Sequence, residues 1–193
     1  MAAITVFPFL YMISGSLMTY QEATSIPPTA LPHVPQWHNF AEAMAQAPFA
    51  RYFINTVLVA GLSTLGTIVT TVLAAFALVR LKFRFKKVLT MGMVALLMVP
   101  YEVIVFTNYR TIAQMGLLDT YWALILPSLA SVFYIFYLQQ YLTSIPETYY
   151  NAAKVDGCGD LEFIWKVMVP MCRPALFTMG LLLFIGGWNS FLW

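Results

Sequence analysis

The chain has 193 residues, of which 61% are hydrophobic and only 9% are charged. Soluble domains usually carry about 25% charged residues, so a chain this poor in charge is typical of a protein whose solvent is lipid. The net charge of +2 argues against a nucleic-acid partner, because no broad basic field exists to gather phosphates. We therefore predict an all-α integral membrane protein.

Helices that cross the hydrocarbon core need about 20 apolar residues. The chain has five such runs, at about 2–19, 52–79, 88–108, 120–142 and 174–193. The first run lacks the basic start and the small-residue cleavage region of a signal peptide. The last run stops at Trp193 without a polar flank. We expect one transmembrane domain over residues 1–193, truncated within a helix at both ends.

Basic residues give the expected orientation of these spans. Short cytoplasmic links carry an excess of lysine and arginine. Eight of the ten basic residues lie in two links on the same side of the membrane. The link between the second and third spans holds Arg80, Lys82, Arg84, Lys86 and Lys87, and the link between the fourth and fifth holds Lys154, Lys166 and Arg173. The loop 143–173 is therefore predicted to be cytoplasmic, and the segments 20–51 and 109–119 extracytoplasmic.

Histidine and cysteine residues predict no metal site or disulfide. The segment 20–51 holds five prolines, which favours an extended loop with a short helix near 40–47. His33 and His38 lie on this loop without an evident third zinc ligand. Cys158 and Cys172 fall in a predicted cytoplasmic segment without histidine neighbours.

The second span contains two ladders of small residues at four-residue spacing. Small side chains at this interval let helix backbones approach closely in lipid. We predict that this span packs among other helices rather than lining a pore. The ladders are Gly66, Thr70 and Ala74, and Ser63, Thr67, Thr71 and Ala75.

The third span carries Pro100, which is expected to bend it, and Glu102. A carboxylate at membrane depth marks a pathway by default, although Glu102 could instead reach water at the outer interface. The spans otherwise hold few ionisable groups, which favours an external energy source over an ion-coupled carrier. An intramembrane enzyme would need a metal-ligand or nucleophile–base set within the spans, and both histidines lie outside them. Candidates for lining a substrate path are Glu102, Asn108, Tyr109, Tyr134 and Asn189.

The loop 143–173 reads as two short helices joined by a sharp turn. Ser144 and Glu147 fit a capping box for a helix that runs to about 155. Gly157 fits the left-handed position that ends a helix, and Asp160 can cap a second helix that Pro170 stops. Such a knob could dock a partner, or it could fold back on its own membrane domain.

One run in this loop carries a family resemblance. It reads Asn151-Ala152-Ala153-Lys154-Val155-Asp156-Gly157, followed by Phe163, Val169-Pro170 and Pro174. This pattern resembles the EAA loop of binding-protein-dependent ABC importer permeases. Four other stretches are similar to the carbohydrate-uptake branch of that family, which includes permeases for maltose and glycerol 3-phosphate. They are Tyr52-Phe53-Ile54-Asn55-Thr56, Leu97-Met98-Val99-Pro100, Gly116-Leu117-Leu118-Asp119-Thr120 and Gly187-Trp188-Asn189.

This resemblance implies a polytopic helical bundle of the type I ABC importer permease kind in a prokaryotic inner membrane. It implies a cytosolic ABC ATPase dimer, a second permease subunit and an extracytoplasmic solute-binding protein as partners. ATP and Mg would be bound by the ATPase, and this chain has no Gly-rich loop ending in Gly-Lys-Ser/Thr. The implied solute is a sugar, an oligosaccharide or a polyol phosphate. A non-carbohydrate solute and an ion-coupled carrier remain the alternatives.

The resemblance also assigns a role to the loop, as the coupling element that inserts into the ATPase. The family's leading Glu is replaced here by Asn151, which puts a charge pair with the ATPase in doubt. The residues expected to couple are Glu147, Tyr150, Asn151, Ala152, Ala153, Asp156 and Gly157. No catalytic residue is expected in this chain.

Overall fold

The computed structural model describes residues 2–190, and every regular element in that range is helical. The chain divides into two compact units, residues 1–54 and 55–193. The first unit holds α1 (Ala2–Ser16), α2 (Tyr20–Ala23) and α3 (His38–Gln46). Helix α4 (Phe49–Arg80) begins in the first unit and runs on into the second.

Side chains that bind backbone groups order the loop between α1 and α3. Thr19 and Glu22 form a reciprocal capping box at the start of α2. The Glu22 carboxylate also accepts the backbone N–H of His33 at 3.1 Å. These N–H groups, Thr19 first, hold the pKa of Glu22 below its usual range. Asn39 donates to the carbonyl oxygens of Ser16 and Met18, so the proline-rich segment has a defined path, and its predicted short helix is confirmed as α3.

The second unit continues with α5 (Lys86–Leu96), α6 (Tyr101–Gln114) and α7 (Tyr121–Ile125), which ends in a 3₁₀ turn at Leu126–Ser128. Next come α8 (Val132–Thr143), α9 (Thr148–Val155) and α10 (Asp160–Phe163). A π-helical turn (Ile164–Met168), α11 (Val169–Met171) and α12 (Arg173–Trp188) complete the described elements.

Among the described residues, α4 is the one helix that is long and apolar enough to cross a bilayer by itself. Two bent helix pairs would raise the number to three if each pair acts as one span: residues 121–143, bent by 42°, and residues 160–188, bent by 82°. The five-span topology therefore stays a prediction.

The predicted third span is divided rather than bent. Helix α5 ends at Leu96, and Pro100 takes an extended conformation immediately before α6. Proline has no N–H to donate, and its ring clashes with the carbonyl four residues earlier. The interruption at 97–100 therefore separates α5 from α6, which carries Glu102.

The small-residue ladders of α4 are packing surfaces, as predicted. Thr67 and Thr71 are fully buried, and a Cβ on Gly66 would overlap the side chain of Leu129. The hydroxyl of Thr67 donates to the Ser128 carbonyl at 2.7 Å, and that of Thr70 donates to the Leu129 carbonyl. These carbonyls lie where the helix breaks between α7 and α8, and the two threonine hydroxyls supply the donors that a regular helix would supply from its backbone.

We expect Gly66→Ala to be less stable than the Gly61→Ala control, because the new methyl group must displace the Cδ2 end of the Leu129 side chain. Since that end is flexible, the cost should be at the lower end of the range for overpacking, about 1 kcal/mol. Gly61→Ala on the same helix is the matched control, since a Cβ there meets nothing within 4 Å and alanine favours the helix. Thermal unfolding in detergent measures both variants. Equal melting temperatures for the two variants would contradict close packing at Gly66.

Candidate functional site

Residues 144–172, which we call the elbow, form the predicted two-helix knob. Its first helix, α9, starts at Thr148 with no side-chain cap, so the predicted capping box is wrong. A capping serine needs an extended backbone, whereas Ser144 is still helical and ends α8. Its hydroxyl donates back to the Tyr141 carbonyl at 2.6 Å.

The turn after α9 lies where the sequence predicts it. Helix α9 ends at Val155, and Gly157 has a φ of 80°. The N–H of Gly157 donates to the Lys154 carbonyl, and the N–H of Cys158 donates to the Ala153 carbonyl. This pair of hydrogen bonds is the Schellman pattern, which needs a left-handed residue at the position of Gly157.

Asp160 does not cap α10, contrary to the prediction. Gly159 occupies the cap position, without a side-chain hydrogen bond. The Asp160 carboxylate instead reaches back across the turn, where its Oδ1 lies 2.6 Å from Nζ of Lys154 and accepts the Tyr150 hydroxyl at 2.8 Å. Lys154 and then Tyr150 hold the pKa of Asp160 below its usual range, and Asp160 raises the pKa of Lys154.

Three aromatic rings fix the elbow to the Arg80 end of α4. The Tyr150 ring meets Phe163 edge-on with centroids 5.0 Å apart, and it meets Phe76 of α4 at 6.0 Å. Arg80 donates to the Ile145 carbonyl at 3.0 Å. One face of the elbow thus folds back on the membrane helices, which was the alternative to a free knob. The surrounding buried residues are Val72, Ala75, Leu138, Leu142, Ile164, Met168, Cys172 and Ala175.

The second helix of the elbow does not stop at Pro170. A π-helical turn follows α10, and Pro170 lies in the first turn of α11, where no N–H is required of it. The chain turns instead at Cys172, and α12 leaves at 82° to the preceding helices. Cys172 is buried there, and this burial raises the pKa of its thiol to about 11.

The structure separates the predicted coupling residues into two groups. Tyr150 and Ala153 face the core that the elbow shares with α4 and α8. The other five are exposed, namely Glu147, Asn151, Ala152, Asp156 and Gly157. Beside them lie Val155, exposed by 88%, and Leu161, exposed by 65%. Sequence reasoning missed both apolar residues, although they flank the predicted turn.

A cavity of about 530 Å³ lies between α4, the segment 121–134 and the end of α12. Its lining is mostly apolar and its polar groups are uncharged. One of these groups, the Tyr121 hydroxyl, donates to Oδ1 of Asn55 at 2.8 Å. Ser63 and Thr67 line it as well, so this end of the ladders is not packing surface alone. The other polar or aromatic lining residues are Thr56, Thr64, Ser128, Tyr134, Trp188 and Ser190.

Among the predicted path residues, Tyr134 lines this cavity. Asn189 lies between two lining residues, and its amide donates to the Ile185 carbonyl at 3.0 Å. Glu102, Asn108 and Tyr109 belong to α6, and none of the three is among the described residues that line the cavity. The structure thus places one of the five candidates, Tyr134, in the cavity wall, and Asn189 beside that wall in the chain.

Comparison with known proteins identifies the family. A family model of the inner membrane component of binding-protein-dependent transport systems matches residues 66–193, which include the whole elbow. The chain belongs to this family. Its members are transport-system components of the membrane rather than enzymes.

Two relatives of this inner membrane component are named after a glycosyl glycerol and a polyol phosphate. The sulfoquinovosyl glycerol transport system permease protein SmoH of Agrobacterium fabrum is 35% identical over 96% of this chain and 66% of its own length. The sn-glycerol-3-phosphate transport system permease protein UgpE of the same organism is 32% identical over 98% of this chain and 70% of its own length. The chain therefore spans about two thirds of the length of these relatives.

The same fold occurs in a bacterial ABC transporter involved in the import of the acidic polysaccharide alginate. The TM-score is 0.86 at 24% identity, over 98% of this chain and 67% of that one. The predicted all-α permease fold is confirmed by this likeness.

Proposed function

We propose that the chain is a transmembrane subunit of a binding-protein-dependent ABC importer, and that its elbow receives mechanical work from a separate ATPase. The observation that carries this proposal is the division of the elbow into two faces. One face is buried on α4 through Tyr150 and Phe163, and the other exposes Asn151, Ala152 and Val155. An element with one face packed on the membrane helices and the other face exposed can pass a displacement from a docked partner to those helices.

The partners follow from family membership. A cytosolic ATPase dimer would bind ATP and Mg and hold the exposed face of the elbow in a cleft. A second permease subunit would complete the path, and an extracytoplasmic protein would deliver the solute. The chain would lie in the plasma membrane of a prokaryote with the elbow inside and residues 20–51 outside, in line with the excess of basic residues on the elbow side.

Hydroxyl-rich solutes fit the lining of the cavity. Aromatic rings stack on sugar faces, and a few placed hydroxyl and amide groups fix orientation in an otherwise apolar pocket. Tyr134 and Trp188 supply rings, and Asn55, Ser63 and Thr64 supply polar groups. The relatives named above are called permeases for sulfoquinovosyl glycerol and sn-glycerol-3-phosphate. We therefore propose a sugar, an oligosaccharide or a polyol phosphate as the solute.

Uptake of a panel of labelled solutes, in cells that carry the complete gene cluster, tests the solute class. We expect uptake of one or more sugars or polyol phosphates that is lost when the gene is deleted. The panel includes amino acids and oligopeptides as the control solutes. Uptake of a control solute alone would contradict a carbohydrate importer.

Crosslinking tests the ATPase as the partner of the elbow. We expect Val155→Cys to crosslink to the ATPase subunit of the intact importer, because this side chain is 88% exposed. The background carries Cys158→Ser and Cys172→Ala, which remove the native thiols. Gln21→Cys, exposed in the first unit, is the control and should react only with reagents added outside the cell. A Val155→Cys variant labelled from outside and never captured with an ATPase would overturn the proposal.

Two glycines of the elbow provide a matched pair for testing coupling. Gly157→Val forces a β-branched residue into a left-handed conformation, at a cost of about 1–2 kcal/mol. Gly159→Val has no such cost, because Gly159 has a φ of −72°, and a Cβ at either glycine meets nothing within 4 Å. We expect both variants to insert, and only Gly157→Val to lose solute-stimulated ATP hydrolysis. Retained stimulation in Gly157→Val would count against the turn as part of the coupling surface.

A further inference from the structure

We propose that Asp160 is a positioning residue for coupling, which clamps α9 to α10 so that a push on α9 reaches α4. This inference rests on the proposed function and adds to it a residue outside the exposed face. Asp160 touches neither solute nor ATPase in this role. It acts through the two α9 side chains that it holds.

The clamp is a single carboxylate oxygen shared by two donors. Oδ1 of Asp160 lies 2.6 Å from Nζ of Lys154 and 2.8 Å from the hydroxyl of Tyr150. Lys154 and Tyr150 are four residues apart and therefore lie on the same face of α9. The carboxylate thus binds α9 at two points one turn apart. These two contacts resist rotation of α9 about its axis as well as its separation from α10.

The turn is restrained by its two backbone hydrogen bonds and by Cys158, which packs against the core. Gly157 and Gly159 flank Cys158, and glycine leaves the backbone more conformational freedom than any other residue. A Cβ at either glycine would meet nothing within 4 Å. Side-chain contacts between the two helices therefore add to the turn in fixing the angle between them.

Tyr150 connects this clamp to the membrane helices. Its hydroxyl donates to Asp160. Its ring packs against Phe76 of α4 and against Phe163, the last residue of α10. Loss of the carboxylate would remove the acceptor of this hydroxyl and the partner of Lys154. A push on α9 could then rotate the helix and turn the Tyr150 ring against Phe76, instead of displacing Phe76.

A second ion pair in the elbow provides the control. Nζ of Lys166 lies 2.7 Å from Oε1 of Glu162, and the two residues are four positions apart in one helical run. Their mutual effect on pKa has the same sign as that of the Lys154–Asp160 pair. Glu162 also interacts with the N–H of Gly159 in the turn, whereas no described residue of α9 forms a hydrogen bond or ion pair with Lys166. Removal of the pair at Lys166 should therefore leave coupling intact.

The test uses the complete importer in proteoliposomes, with solute transported per ATP hydrolysed as the readout. In Asp160→Ala we expect capture of the ATPase by Val155→Cys to be retained, basal ATP hydrolysis to continue, and transport per ATP to fall about fivefold or more. Lys166→Gln, which breaks the control pair and leaves the contact of Glu162 with the turn in place, should match the wild type. The double variant Tyr150→Phe with Lys154→Gln removes the same two contacts from the other side and should reproduce the loss.

Several outcomes would overturn the clamp. Transport per ATP at the wild-type level in both the Asp160→Ala and the double variant would do so, as would an equal loss in Lys166→Gln. Loss of ATPase capture in Asp160→Ala would show that the residue serves docking rather than transmission. Failure of the proposed function itself is distinguishable, since the wild-type elbow would then not be captured with an ATPase at all.

Discussion

The close approach of other backbones to α4 is the constraint on which the second unit depends. Small residues make this approach possible in lipid, where packing rather than water exclusion holds helices together. Because Gly66 has no side chain, Leu129 can pack against it at the break between α7 and α8. Gly187 of α12 packs against Ala60 of α4, and a Cβ added at Gly187 would lie 3.3 Å from the Ala60 Cβ. Further along α4, Ala75 is fully buried beneath the elbow. Larger side chains at these positions would separate the cavity walls and the elbow from their common support.

This arrangement gives the two ends of α4 different neighbours. Residues from Asn55 to Thr67 line the cavity, and residues from Val72 to Arg80 hold the elbow. Ser63 and Phe76 are 13 positions apart, or about 20 Å along a helix. A regular helix of 32 residues without an internal proline moves as a stiff element over that distance. Displacement of Phe76 by the elbow would therefore also alter the cavity wall.

Local rules predicted the parts of this structure that depend on the backbone alone. The turn at Gly157 was predictable because few residues other than glycine accept a φ of 80°, and the small-residue ladders were predictable from their spacing. The capping predictions for Ser144 and Asp160 failed because each side chain found another partner, the Tyr141 carbonyl for Ser144 and Lys154 with Tyr150 for Asp160. The path candidates Glu102, Asn108 and Tyr109 were chosen for polarity at membrane depth, but sequence does not say which helices enclose a cavity.

Asn151 stands where the family's EAA pattern has a Glu, and the contacts of Asp160 within the elbow affect which nearby carboxylates could replace that charge. Asp160 is occupied by Lys154 and Tyr150, so the carboxylates that remain on the exposed face near Asn151 are Glu147 and Asp156. Asn151 itself is neutral and can only donate or accept hydrogen bonds. Exposed charges are screened by salt, whereas Ala152 and Val155 offer shape and apolar area that salt does not screen. Docking of this elbow would therefore rest more on fit around α9 than on a charge at position 151, and fit requires that α9 be held at a fixed angle.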